Sequence, residues 1–76
     1  MSAGPKKHSL TIRGHRTSVS LEDEFWRAFK EIAARRTLSI NDLATEIDIA
    51  RAPGTGLASA IRVFVLREIQ ARAGQT

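Results

Sequence analysis

Apolar and polar residues alternate over residues 8 to 21, and the alternation slips by one position in the middle. Leu10 and Ile12 fall at even positions; beyond Gly14, Thr17, Val19 and Leu21 fall at odd ones. Alternation sends every second side chain to one face of an extended chain, and a one-residue slip at a glycine marks either a β-bulge or a tight hairpin. In the second stretch Arg16, Ser18 and Ser20 take the face opposite Thr17, Val19 and Leu21. From about Glu22 the period becomes helical. Phe25, Trp26, Phe29, Ile32 and Ala33 make one apolar stripe. The acids Glu22, Asp23 and Glu24 suit the positive end of this helix, and Arg35 and Arg36 suit its negative end. Ser20 or Leu21 is the expected cap. A second helix opens at Ser39, where Ser39-Ile40-Asn41-Asp42 fits a relaxed capping box, buries Ile40, Leu43 and Ile47, and runs to about Arg51. Pro53-Gly54-Thr55-Gly56 breaks the chain. A third helix follows over about 57–73. Its stripe includes Leu57, Ala60, Ile61, Phe64, Val65 and Ile69, with Val63 and Leu66 outside it. A helix apolar on more than one side is normally buried on more than one side.

Size changes what this pattern means. Seventy-six residues make at most one domain, with a basic arm over 1–7 and a single folded unit over 8–76. Such a chain buries little apolar surface by itself and usually needs a disulfide, a metal or a partner. There is no cysteine, which excludes disulfides, thiolate metal sites and cysteine nucleophiles. His8 and His15 are expected to be solvated rather than metal-bound, and no metal or cofactor is expected. Self-association remains as the source of further burial. Neither an internal repeat nor a low-complexity segment is visible.

Charge then points to a polyanion. Lysine and arginine total 12 against 8 acids, a net charge of +4. The distribution says more than the total: residues 1–19 hold Lys6, Lys7, Arg13 and Arg16 and no acid. A basic segment on an extended, polar-faced stretch is a plausible nucleic-acid contact. No apolar run reaches the roughly 20 residues of a membrane span, and no signal-peptide core opens the chain, so no membrane partner is expected and the cytoplasm is the expected compartment.

A single strand followed by two helices and a sharp turn is a poor monomer, because the strand has no ladder partner. Two copies solve this by pairing strands antiparallel about a two-fold axis. The stretch Arg16-Thr17-Ser18-Val19-Ser20-Leu21-Glu22-Asp23-Glu24-Phe25-Trp26, followed by Ile32-Ala33 and Leu38-Ser39, resembles the Arc/MetJ-type ribbon-helix-helix family over roughly residues 16 to 50. The third helix makes it similar to a bacterial subgroup. The resemblance implies a mostly α fold with a short N-terminal β-ribbon, assembled as an intertwined homodimer with intermolecular antiparallel strands. Thr17, Val19, Leu21, Phe25, Trp26, Phe29, Ile32, Ile40, Leu43, Ile47, Ile61, Phe64 and Val65 would form the dimer core.

The same resemblance assigns roles. Arg16, Ser18 and Ser20 would read base edges of double-stranded DNA in the major groove. The backbone at Ser39, Ile40 and Asn41, opening the second helix, would hold a phosphate, with Lys6, Lys7 and Arg13 adding phosphate contacts. At the turn between the helices the family usually has glycine, and here Thr37 stands at a position that tends to need φ > 0. The plainer readings are a solvated sheet face for the ribbon residues, capping for Ser39, a linker for Gly54-Thr55-Gly56 and dipole complementation for Glu22 to Glu24. No nucleophile has an adjacent base, so no enzyme is expected. The expected function is a sequence-specific transcriptional regulator, a repressor by type. The alternative is a protein-interaction module, antitoxin-like or an adapter, that binds a protein partner through the third helix.

Overall fold

Alternation on both sides of Arg13-Gly14 folds the N-terminal part of the chain into a hairpin. The computed structural model describes residues 4–74. Strand β1 (Lys6–Ile12) pairs antiparallel with β2 (His15–Leu21), in a register that runs from Lys6 opposite Leu21 to Ile12 opposite His15. The two connecting residues both have positive φ, 52° at Arg13 and 78° at Gly14. That is the turn whose twist matches the twist of the strands it joins. The slip in the apolar pattern is therefore a hairpin and not a bulge.

Helix α1 (Asp23–Arg35) follows directly. Its N-cap is Glu22, not Ser20 or Leu21: the chain stays extended through Glu22, and β2 ends only at Leu21. The turn after α1 is closed by Leu38 N–H to Ala33 C=O (2.9 Å) and Thr37 N–H to Ala34 C=O (3.1 Å). This Schellman pattern needs a left-handed residue, and Thr37 fills that place with φ 54°. Its hydroxyl donates to the Arg36 carbonyl at 2.6 Å. Helix α2 (Ile40–Ala50) is capped by Ser39, whose Oγ accepts from Asp42 N–H at 3.0 Å. A turn through Pro53 and Gly54 (φ 85°) leads to α3 (Leu57–Ala73).

The hairpin lies over the helices, with β1 against α2 and β2 against α3. Leu10, Ile12, Val19 and Leu21 drop from its inner face onto Phe29, Ile32, Ala33, Leu43, Ala44, Ile47, Ile61 and Val65. Each large side chain in that set contributes roughly 1.5–3 kcal/mol by leaving water. Phe25, Trp26, Ile40 and Phe64 flank the core, partly buried. Thr17, expected in the dimer core, is exposed in the single chain. It sits near the hairpin tip, over an open cleft lined by Ile12, Thr17 and Leu57.

Two further expectations change. The ladder partner of β2 is the chain's own β1, so the lone strand that called for a second copy does not exist, and the strand pairing shown is within one chain rather than between two. Lys6 and Lys7, expected in a loose arm, open β1; residues 1–3 of that arm lie outside the described residues. No described helix is long and apolar enough to cross a membrane.

Candidate nucleic-acid interface

The outer face of the hairpin carries only polar side chains. The register sets Lys7 opposite Ser20, Ser9 opposite Ser18 and Thr11 opposite Arg16. All six are exposed. Strand parity puts them on one face because His8, Leu10, Val19 and Leu21 point the other way. The expected readers Arg16, Ser18 and Ser20 are thus together on β2. Lys7, Ser9 and Thr11 join them from β1. Only the alternation of β1, with Lys7, Ser9 and Thr11 between His8, Leu10 and Ile12, could have revealed these three from sequence.

The face is cationic without compensation. Lys7 and Arg16 stand at opposite ends of it, and Arg13 sits in the turn. No ion pair engages these three among the described residues. Lys6 differs: it falls on the inner side at the foot of the hairpin, and its Nζ lies 3.3 Å from Asp23 Oδ2. His8, also inward, stacks on Trp26 with ring centroids 4.1 Å apart. His15 is exposed beside the turn.

Each strand of the ribbon is anchored to the helices at its outer edge. On β1, Thr11 N–H donates to Asn41 Oδ1 at 2.9 Å, which sets the first turn of α2 beside the ribbon. Ser39, Ile40 and Asn41 are therefore next to β1, and the first amides of α2 have no partner inside their own helix by helix geometry. On β2, the Ser20 carbonyl accepts from Arg62 Nη2 at 3.3 Å. Arg62 also donates from Nε to Glu22 Oε1 at 3.0 Å, and its guanidinium lies over the Phe25 ring. The Glu22 carboxyl is held below its ordinary pKa, first by its own backbone N–H and then by Arg62, against a desolvation effect that raises it. This cluster fixes the foot of β2 to α1 and α3.

A second exposed surface has the opposite character. Val63, Leu66 and Ile69 on α3 are each 44–52% exposed. Beside them a groove of about 430 Å³ runs between α2 and α3, lined mainly by Ile47, Ala50, Ala60, Val63 and Phe64, with Arg67 at its rim.

The ribbon face offers hydrogen-bond donors and acceptors on a strip two strands wide, the width that the major groove of B-DNA admits. Among the described residues no group of three or more histidine, cysteine or carboxylate side chains is placed to hold a metal. A family model described as a ribbon-helix-helix domain matches residues 5–69. Domains of this family are typically DNA-binding regulators rather than enzymes, and they generally form homodimers. No curated protein and no solved structure matches the chain. The hairpin, the α1–α2 turn at Thr37 and a match that spans both and most of α3 lead to one conclusion: the chain belongs to the ribbon-helix-helix domain family.

Proposed function

We propose that this protein is a sequence-specific DNA-binding transcriptional regulator, a repressor by type and not an enzyme, that inserts its β-ribbon into the major groove. The observation that carries the reading is the outer ribbon face: six exposed polar side chains in register, cationic at both ends, with no acid among them. Arg16 contacts a guanine edge through its two-pronged guanidinium, and Ser18 and Ser20 add shorter contacts to neighbouring bases. The opening of α2 at Ser39, Ile40 and Asn41 meets a phosphate beside the ribbon, and Arg13 meets another from the turn. Lys6 contributes less than its charge implies, because Asp23 already neutralises it. The regulator works in the bacterial cytoplasm as a homodimer in which each protomer keeps its own ribbon. The family's general habit supports a homodimer, and the exposed stripe of α3 offers it a surface.

The test is a gel-shift titration against duplex fragments from the region upstream of the protein's own gene. Binding at nanomolar to micromolar protein that weakens steeply with salt supports the reading. No shift with any fragment, at low salt, refutes it.

A second reading draws on the α3 surface. Val63, Leu66 and Ile69, with the adjoining groove, would take an apolar helix from a protein partner, making the fold an interaction module. Substitution of Arg16 by Ala separates the two: it lowers DNA affinity under the first reading and leaves capture of the protein partner intact under the second.

A further inference from the structure

Beneath the tip of the hairpin the inner face stops being buried. Parity puts Ile12, His15 and Thr17 in the same inward row as Leu10 and Val19. Leu10, Ile12 and Val19 are buried, whereas His15 and Thr17 stay exposed. Across from them the end of α2 and the start of α3 supply Asp48, Arg51 and Leu57, and an open cleft of about 340 Å³ lies between the two sets. Arg13 lines it from the turn. The volume falls within the range of small-ligand pockets, roughly 300–1,000 Å³.

The lining selects for charge. Two arginines face one acid, and that acid is already engaged: Asp48 Oδ1 accepts from Arg51 Nε at 2.7 Å. Arg51 Nη1 donates to the Thr55 carbonyl. These contacts tie the guanidinium to the α2–α3 turn and leave its Nη2 without a partner among the described residues. Among the same residues Arg13 makes no ion pair, and the Thr17 hydroxyl makes no hydrogen bond. A ring N–H of His15 adds a further donor. Guanidinium forks match the oxygens of a carboxylate or a phosphate, while Ile12 and Leu57 offer an apolar wall beside them. A metal does not suit this lining, since no described group of three histidine or carboxylate side chains is placed to hold one. A DNA phosphate is not the occupant either, because the ribbon turns its outer face to the groove and the cleft lies under the inner one.

We propose that the cleft under the hairpin tip binds a small organic anion, a carboxylate or phosphate ester with a short apolar body, and that its occupancy loosens the hold on DNA. The regulatory half rests on the DNA-reading function proposed above; the site itself does not. Arg13 is the link. It lines the cleft, and it sits in the turn between the two strands that carry the reading face. A ligand held by Arg13 takes that cation from a DNA phosphate. It also places a negative charge under the strand that bears Arg16, against a polyanion on the other side. By linkage, DNA lowers the affinity for the ligand by the same factor that the ligand lowers the affinity for DNA.

The experiment is a nitrogen-edited NMR titration of the full-length protein, at constant ionic strength, with phenyl phosphate, isovalerate, inorganic phosphate and the uncharged isovaleramide. The site predicts saturable shifts from an organic anion at the amides that line the cleft, weaker binding of inorganic phosphate and none of isovaleramide. The tighter of the two organic anions identifies the head group. Arg13→Gly keeps the left-handed turn, since glycine takes positive φ freely, and weakens binding on the order of tenfold. Thr17→Asp, at an exposed position off the reading face, sets a carboxylate among the cations and abolishes binding. DNA affinity is then read by fluorescence anisotropy with a duplex that the protein selects from a randomised library. Saturating probe lowers it on the order of fivefold in the unaltered protein and leaves it unchanged in Thr17→Asp. Shifts scattered over the surface, a failure to saturate, or inorganic phosphate binding as well as the organic anions overturns the site. A mapped site with unchanged DNA affinity overturns the regulatory half. If the unaltered protein binds no duplex while the probes still map to the cleft, DNA reading fails and the anion site stands without it.

Discussion

The hairpin and helix α3 both have one face in the core and one face in water, yet their outer faces have opposite chemistry. On the hairpin, period-two alternation separates the faces cleanly: Leu10 and Val19 inside, Ser9 and Ser18 outside. On α3 there is no such separation. Ile61 and Val65 are buried, but Val63, Leu66 and Ile69 remain largely exposed. A polar, cationic strip suits a polyanion with hydrogen-bonding edges. An apolar stripe suits another apolar surface. The two faces therefore suit partners of different chemistry.

The largest effect expected on stability comes from the core that the two elements share. Phe29 is fully buried beneath the hairpin. Phe29→Ala should destabilise the fold by roughly 3–5 kcal/mol in a denaturant titration. Leu66→Ala should stay within about 0.5 kcal/mol at dilute protein concentration, because Leu66 faces water. A loss of several kcal/mol at Leu66 would mean that the α3 stripe is buried in an assembly even when dilute. The midpoint of thermal unfolding would then rise with protein concentration, and Leu66→Asp would remove that dependence.

A smaller effect belongs to the turn that sets α2 beside the ribbon. Thr37 holds φ 54° with a β-branched side chain. Thr37→Gly removes the strain and should stabilise the fold by about 1 kcal/mol, less whatever its hydroxyl contact to Arg36 contributes. A loss of stability would show that this contact outweighs the strain.

The smallest effect concerns the foot of β2. The Glu22 carboxyl has a lower pKa in the folded chain than its ordinary value, so its contribution to stability is present above about pH 4.3 and lost as pH falls through the depressed value. Arg62→Met should flatten that part of the acid-stability curve, measured by denaturant midpoints between about pH 3 and 6. An unchanged curve would show that the backbone contact alone depresses Glu22.

The helices were legible because their periodicity is strong and their caps are chemical. Ser39 at the start of α2 and Pro53-Gly54 after it mark boundaries through hydrogen bonding and fixed dihedrals, which single residues announce. Thr37 was legible by the glycine it replaces. The ribbon was legible only by half. Arg13 gives no sign of a left-handed turn residue, so bulge and hairpin could not be separated, and β1 was read without a partner. Lys6 and Lys7 look like an arm when only charge is considered, although they extend the alternation of Leu10 and Ile12. Thr17 has the right parity for the inner face but lines the open cleft near the hairpin tip. The candidate site follows the same division: Arg16, Ser18 and Ser20 on β2 followed from parity, and Lys7 was named as a phosphate contact by its charge, whereas its place on the ribbon face beside Ser9 and Thr11 rests on the alternation of β1.

Under the proposed function the outer ribbon face, and not basic charge in general, recognises DNA. Fluorescence anisotropy with a selected duplex measures it most directly, comparing Arg16→Ala with Lys30→Ala, an exposed cation on α1. Arg16→Ala should lose on the order of 1–3 kcal/mol of affinity for the selected duplex and much less for a scrambled one. Lys30→Ala should change both duplexes little and alike. Equal losses from the two substitutions, or an unchanged affinity after Arg16→Ala, would contradict it.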